Sequence, residues 1–268
     1  GAVTFSEEQS DLIATAHAMA DAARAAILPW FRSTALVSDN KLDDGFDPVT
    51  EADRAAETAM RAVLADRRPD DGIHGEEFGR QPGTSGLTWV LDPIDGTRAF
   101  ISGSPTWGVL IAVGGAGGPD LGIIDQPYIG ERFVGGFGLG EMTGPLGTRP
   151  LATRATEGLE EATIFTTFPE VGNKAERTGF HRLAGHCKLT RYGADCYAYA
   201  LLAAGHIDLV VEAGLNAYDI QAPIAVVRAA GGIVTDWKGG PAHEGGRALA
   251  AANPAIHAAA LAILSDTD

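Results

Sequence analysis

The 268-residue chain is poor in cysteine. It has only Cys187 and Cys196, too few for a thiolate zinc site and not spaced as a Cys-x-x-Cys redox pair. A reduced, cytoplasmic setting is the expectation. No apolar run reaches the roughly 18 residues of a membrane span. The segment Gly1 to Ser10 also lacks the basic start and apolar stretch of a signal peptide, so no membrane partner is expected. The most apolar segment, Ala248 to Leu264, is broken by Asn253, Pro254 and His257, and reads as an alanine-rich terminal helix. Positive charge is scarce as well. The 20 Lys and Arg against 35 Asp and Glu leave a net charge of −15, which would repel a phosphate backbone and excludes nucleic acid as an expected partner. An acidic protein that handles a small anion must recruit divalent cations or a local basic group.

Several site patterns are also missing: the Gly-x-x-x-x-Gly-Lys-Ser/Thr phosphate loop, a complete Gly-x-Gly-x-x-Gly, Gly-x-Ser-x-Gly and His-Glu-x-x-His. The 7 histidines are scattered, with no pair at helical ligand spacing. The glycine-rich stretches Gly114 to Gly118 and Gly135 to Gly140 read as hairpin turns. What is there, 45% hydrophobic and 21% charged residues, is the composition of a folded globular protein.

Helical spacing runs from Ser6 to Phe31, with Trp30 and Phe31 as packing residues at its end. A second helix opens at Pro48, where Thr50 is the predicted cap and Asp53 stands in the capping-box position. Short apolar runs between Gly and Pro clusters follow at Thr88 to Leu91, Trp107 to Val113, Leu121 to Ile124 and Arg132 to Val134, and they read as strands. Beyond Pro150 the pattern alternates. Strands are predicted at Ala162 to Thr166, Ile207 to Val211 and Gly232 to Thr235, and helices at Lys174 to Ala184, Asp195 to Ala204 and Tyr218 to Ala230. A layered α/β or α+β scaffold is expected: one unit of residues 1–268, with an N-terminal lobe of 1–147 and a C-terminal lobe of 148–268.

The strongest local signal is Trp89-Val-Leu-Asp92-Pro-Ile-Asp95-Gly-Thr97. An apolar strand delivers two carboxylates to its end, Pro93 stiffens the turn, and Gly96 lets the backbone approach a ligand closely. Carboxylates this near repel one another unless a cation lies between them, and hard oxygen donors suit Mg²⁺. Gly75-Glu76-Glu77 adds an acidic pair upstream, and Ala217-Tyr218-Asp219 adds a carboxylate at a helix start. Taken singly, these are a solvated charge pair and an N-cap.

Together with Asp47-Pro-Val-Thr-Glu-Ala-Asp53, these motifs resemble the inositol monophosphatase-like, Mg²⁺-dependent phosphatases over nearly the whole chain, in order and approximate spacing. One departure is Tyr218-Asp219 where the family usually reads Trp-Asp. The resemblance implies an α+β, layered αβαβα sandwich, a small phosphorylated metabolite as substrate, and a homodimer. Within the family, Arg98 to Gly108, Ile124 to Phe133, Arg191-Tyr-Gly-Ala-Asp-Cys-Tyr197 and Tyr218-Asp-Ile-Gln-Ala222 look like the histidinol-phosphate phosphatase branch of histidine biosynthesis. An inositol-1-phosphate phosphatase of broader specificity is the alternative.

The resemblance further implies two or three Mg²⁺ ions. Glu76, Asp92 and the Ile94 carbonyl would hold one, and Asp92, Asp95 and Asp219 a second. Thr97, hydrogen-bonded to Asp53, would orient or deprotonate the attacking water, with Glu76 the next catalytic candidate, and the Gly96 and Thr97 amides would hold phosphate oxygens. Lys41 stands near the position of a family loop lysine. Glu212 lies at the separation from Asp219 where the family places a substrate-hydroxyl ligand, and Arg191 and Asp195 are further substrate-binding candidates.

Overall fold

In the structure, a computed structural model that describes residues 2–37 and 47–268, Trp89 and Leu91 belong to one hydrophobic core, while Val90 between them belongs to another. The same alternation separates Val109, Ile111 and Val113 from Leu110 and Ala112. A sheet covered on both faces needs apolar residues at every position, which is why these strands read as unbroken apolar runs.

The elements in chain order are α1 (Glu7–Ile27), α2 (Thr34–Val37), α3 (Pro48–Arg67), β1 (Gly72–Gly75), β2 (Gly79–Gln81), β3 (Thr88–Asp95), α4 (Thr97–Ile101), β4 (Gly108–Gly115), β5 (Gly118–Gln126), β6 (Glu131–Gly136), β7 (Leu139–Gly144) and β8 (Gly147–Pro150). They continue with β9 (Thr163–Thr166), α5 (Lys174–Ala184), β10 (Leu189–Tyr192), α6 (Tyr197–Ala203), β11 (Leu209–Asn216), α7 (Ala217–Ala229), β12 (Ile233–Thr235), β13 (Gly245–Ala251) and α8 (Pro254–Leu264). Among the described residues the strands form an eight-stranded sheet in the order β2-β1-β3-β4-β5-β6-β7-β8 and a five-stranded sheet in the order β10-β9-β11-β13-β12. In the first only β1 and β3 run parallel; in the second β9 is parallel to both β10 and β11.

Helices α1 and α3 cover one face of the large sheet. Helices α6 and α7 lie between the two sheets, and α5 and α8 close the far face of the smaller one. The result is the α+β, five-layered αβαβα sandwich. Helix α7 approaches the large sheet closely because the strands beneath it carry glycine. A side-chain carbon on Gly122 would stand 2.8 Å from the Ala222 carbonyl oxygen, and one on Gly135 2.7 Å from that of Ala225.

Several expectations change in detail. Helix α3 is capped by Asp47, whose carboxylate accepts the Val49 N–H at 3.0 Å, with Pro48 in the first turn. Thr50 therefore falls inside the helix, and Asp53 is a buried mid-helix side chain instead of a capping-box residue. The start of the predicted terminal helix, Ala248 to Ala251, is strand. Gly245–Ala251 pairs with both β11 and β12, and the helix begins only where Asn253 accepts the Ile256 N–H at 3.0 Å and Pro254 follows. Alanine's helical preference amounts to a few tenths of a kcal/mol per residue, too little to outweigh a central position in a sheet. Lys41 lies outside the described residues.

Candidate active site

The site forms where β3 ends. Its pairing with β4 skips from Asp92 to Asp95, which leaves Pro93 and the Ile94 carbonyl outside the ladder. A proline cannot donate to a ladder, so the strand bulges there. Gly96 follows at φ 90°. A side-chain carbon on it would stand 2.9 Å from the Asp195 carboxyl carbon, so both the backbone angle and the space demand glycine. Thr97 then opens α4.

Asp92 and Asp95 on β3 meet Asp219 from the first turn of α7: each offers a carboxylate oxygen, and the three atoms lie within 4.8 Å of one another. Asp219 also has a local duty, since its Oδ2 accepts the Asn216 N–H at 2.8 Å in a capping box. The N-cap of α7 is Asn216, not Asp219, which stands at the third helical position and closes the capping box while joining the cluster. Asp92 is 1% exposed and its Oδ1 has no hydrogen-bond partner. Burial, a hydrogen bond with Glu76, and the charges of Asp95, Glu76 and Asp219 push its carboxyl well above the usual range. Asp95 is pushed the same way by burial and by Asp219, Asp195 and Glu212, while the Cys196 side chain pulls it back; the Cys196 N–H also donates to its Oδ2 at 3.0 Å.

Glu76 is exposed on the turn after β1. That turn is pinned by Glu57, a fully buried residue of α3 whose carboxylate accepts the Glu77 N–H at 3.0 Å and the Phe78 N–H at 2.9 Å and pairs with Arg61 at 3.0 Å. One helical turn before it, Asp53 is 5% exposed, and its Oδ1 has no partner. Burial and the charges of Glu76, Glu77, Glu57 and Asp47 raise Asp53 to about 9. The expected Asp53–Thr97 hydrogen bond is absent among the described residues. Of the carboxylates around it, Glu57 is paired with Arg61 and Glu77 stands 3.9 Å from Arg54.

Thr97 lines a cavity of about 390 Å³ with Gly96, Arg98, Phe168 and Asp195. A neighbouring cavity of about 210 Å³ is lined by Asp95, Asp195, Tyr199, Glu212 and Asp219 among others. Glu212 lies within β11, and its carboxylate is gripped from both sides, by the Tyr199 hydroxyl at 2.6 Å and the Thr167 hydroxyl at 2.5 Å. Asp195 has φ 50°, and burial together with the Glu212 charge raises it to about 6. It does not cap α6, whose N-cap is Cys196. Arg191 is a correction. It is exposed on the edge strand β10 and lines neither cavity, because the chain turns inward only after Gly193. Helix α1 ends at Ile27, short of the predicted Phe31, and Trp30 and Phe31 pack in the turn that follows, with the Phe31 ring 5.2 Å from Phe100 and 5.1 Å from Trp107.

Sequence reasoning did not single out Glu57, Thr167, Tyr199 or Phe168, over whose ring the Arg98 guanidinium stacks at 4.8 Å. Only Glu57 carried a signal: a glutamate four residues after Asp53, on the face of α3 that also bears Ala56 and Met60. The donor set is entirely oxygen. Such carboxylates can be charged together only with cations among them, and the buried, partnerless oxygens of Asp92 and Asp53 are what such cations would relieve. The residues fit a hard divalent ion, as oxygen donors without thiolate or imidazole do.

No described helix is long and apolar enough to cross a membrane. Residues 8–267 match the inositol monophosphatase family. The chain is 41% identical over 228 residues to the chloroplastic bifunctional phosphatase IMPL2 of Arabidopsis thaliana, covering 84% of this chain but only 64% of that protein. It is 36% identical over 254 residues to a histidinol-phosphatase of Streptomyces coelicolor, covering 92% and 94% of the two chains. Among solved structures, an inositol monophosphatase from Zymomonas mobilis superposes with a TM-score of 0.88 at 41% identity, over 97% of this chain and all of the other. The acidic cluster at the end of β3 thus sits in a sandwich whose sequence and shape both have phosphatase relatives, and the chain belongs to the inositol monophosphatase family of phosphatases.

Proposed function

We propose that the chain is a Mg²⁺-dependent phosphomonoesterase that hydrolyses L-histidinol phosphate to L-histidinol and phosphate. The observation that carries this reading is the cavity beside the acidic cluster: among the described residues it is lined by Asp195 and Glu212 and by no lysine or arginine. A leaving group bearing an ammonium and an imidazole suits such walls, because a buried cation needs a carboxylate partner. The Streptomyces relative's name supports the same choice. The likeness to the Zymomonas inositol monophosphatase favours a second reading, an inositol-1-phosphate phosphatase, whose substrate hydroxyls would donate to the same carboxylates. A phosphate-release panel of histidinol phosphate and inositol 1-phosphate at equal concentration separates the two. Faster release from inositol 1-phosphate would overturn the first reading.

Glu76, Asp92 and the Ile94 carbonyl would hold one ion, and Asp92, Asp95 and Asp219 another. Bound Mg²⁺ supplies charge neutralisation on the phosphoryl group and acidifies a water. The chain's own residues do the rest. The Gly96 and Thr97 amides hold phosphate oxygens at a turn that no side chain obstructs. The Thr97 hydroxyl orients the attacking water, and Asp53 takes the proton. Burial and its carboxylate neighbours raise Asp53, and positive charge nearby would lower it toward the range of a working base. Water adds to phosphorus and the bond to the alcohol oxygen breaks; solvent water protonates the leaving oxygen and Asp53 returns the proton it took to solvent, so that one water is consumed and the alcohol and phosphate are released.

Glu212 and Asp195 carry the specificity. Removing one half of a buried, hydrogen-bonded charge pair costs about 2–5 kcal/mol, so Glu212→Gln or Asp195→Asn should lower kcat/KM for histidinol phosphate by roughly 30-fold or more. An aryl phosphate without an ammonium should lose little. If both substrates keep their original ratio, histidinol phosphate is the wrong ligand.

The raised carboxyls also predict a pH-dependent stability. Asp195 and Asp53 stand at about 6 and about 9 in the folded chain, against roughly 4 in an unfolded one. The folded state therefore binds their protons more tightly, and the stability this confers is lost as pH rises through those values. Metal-free protein should melt at lower temperature at pH 9 than at pH 5. Saturating Mg²⁺ at the higher pH should restore about 5–10 °C, taking ligand at about a hundred times its Kd. A melting temperature unmoved by Mg²⁺ would count against metal binding by these residues.

A further inference from the structure

Behind the acidic cluster, on the α7 side of the large sheet, lies a third cavity, of about 260 Å³. Strand β1 contributes His74 and β2 contributes Arg80, and the two are direct partners in the antiparallel register, so their side chains share one face. His74 is also aligned with Val90 of β3, which belongs to the core beneath α7 and lines the same cavity. The helix covers the sheet at Val90 but its first turns, at Ala217 and Gln221, stop short of the sheet's edge. Gln221 Nε2 donates to the His243 carbonyl at 3.0 Å and holds that loop over the cavity's mouth. The backbone of the β4–β5 turn, Gly114 to Ala116, forms the remaining wall.

The chemistry of the lining is unlike that of the rest of the molecule. The chain has 35 acidic against 20 basic residues, and Arg24, Arg61, Arg68, Arg132, Arg154 and Arg247 all have carboxylate partners. Arg80 has no hydrogen bond or ion pair among the described residues, and the His74 ring makes only an edge contact with Tyr218, at 5.8 Å between centroids. The acid that lines this cavity, Glu244, is 80% exposed and stands 3.5 Å from His243 Nε2.

The geometry points to a second binding site here, for a small oxyanion: a phosphate or carboxylate held in the Arg80 fork and by the His74 and His243 ring nitrogens. A planar guanidinium matches either group with two parallel hydrogen bonds, and imidazole N–H groups complete the ring of donors. The volume lies just below that of metabolite pockets, about 300–1,000 Å³, which favours a compact ion over a nucleotide.

The test uses the full chain with divalent ions chelated, so that the carboxylate cluster repels anions and leaves this cavity as the place for them. Inorganic phosphate and malonate are titrated separately while backbone and arginine side-chain ¹H–¹⁵N signals are followed. Saturable shifts are expected at Arg80, Gly114 to Ala116 and His243, but not at Gly96 and Thr97. Saturation by phosphate alone assigns the site to phosphate, by malonate alone to carboxylates, and by both to oxyanions generally. Arg80→Gln, on an exposed three-residue edge strand, should leave the melting temperature unchanged and weaken binding about tenfold or more, as loss of a charge-assisted pair does. Absence of saturable shifts, shifts confined to Gly96 and Thr97, or an Arg80→Gln protein that titrates like the parent would each overturn the proposal.

Discussion

Asp92→Asn should lower turnover by about 10³-fold or more even in excess Mg²⁺, since several kcal/mol of charge stabilisation leave with a carboxylate assigned to both ions and each 1.36 kcal/mol is a factor of ten. Misfolding would not explain that loss. In metal-free protein the Asp92 carboxyl is pushed well above the usual range by burial and by the neighbouring Glu76, Asp95 and Asp219. An amide of the same shape removes one source of repulsion, so the metal-free melting temperature should stay level or rise while activity disappears. Glu77→Gln is the control. Glu77 stands next to Glu76 but leans toward Arg54, at 3.9 Å, and its loss should be mild. Equal losses from Asp92→Asn and Glu77→Gln would sink the assignment of Glu76 over Glu77.

Thr97→Ala should lower kcat by ~10²–10⁴-fold, the usual contribution of a group that positions or moves a proton. The Mg²⁺-induced rise in melting temperature should survive, because Thr97 is not among the carboxylates of the cluster. Keeping both readouts on one variant separates the water-orienting role from metal binding. Near-normal kcat would transfer water activation to another group, with Glu76 the next candidate. A lost Mg²⁺ response would instead mean that the hydroxyl supports the metal site itself.

Much of this site was legible in the sequence because its chemistry is local. Asp92, Pro93, Asp95, Gly96 and Thr97 are consecutive or nearly so, and the strand that precedes them, the proline that interrupts its ladder and the glycine at φ 90° are short-range properties. Helix α5 runs over the residues its spacing predicts, with Asn173 and Glu176 in a capping box. The hairpin turns after Gly115 and Gly136 fall in the glycine-rich stretches, although Phe137 also takes a left-handed φ of 56°. The failures share one cause: each depends on a partner far along the chain. Whether Ala248 to Ala251 form helix or strand is settled by β11 and β12 on either side. Whether Asp53 caps a helix or lies buried is settled by the packing of α3 against α1 and the sheet. That Glu212 is gripped by Thr167 and Tyr199, that Arg191 stays outside while Asp195 comes in, and that His74 and Arg80 share an uncovered face all follow from strand register and layer order. The sequence by itself determined which carboxylates the chain can present and the turn that delivers two of them. Only the five-layered packing decided which side chains meet them, because desolvation and charge repulsion act through space, between groups that the order of residues does not bring together.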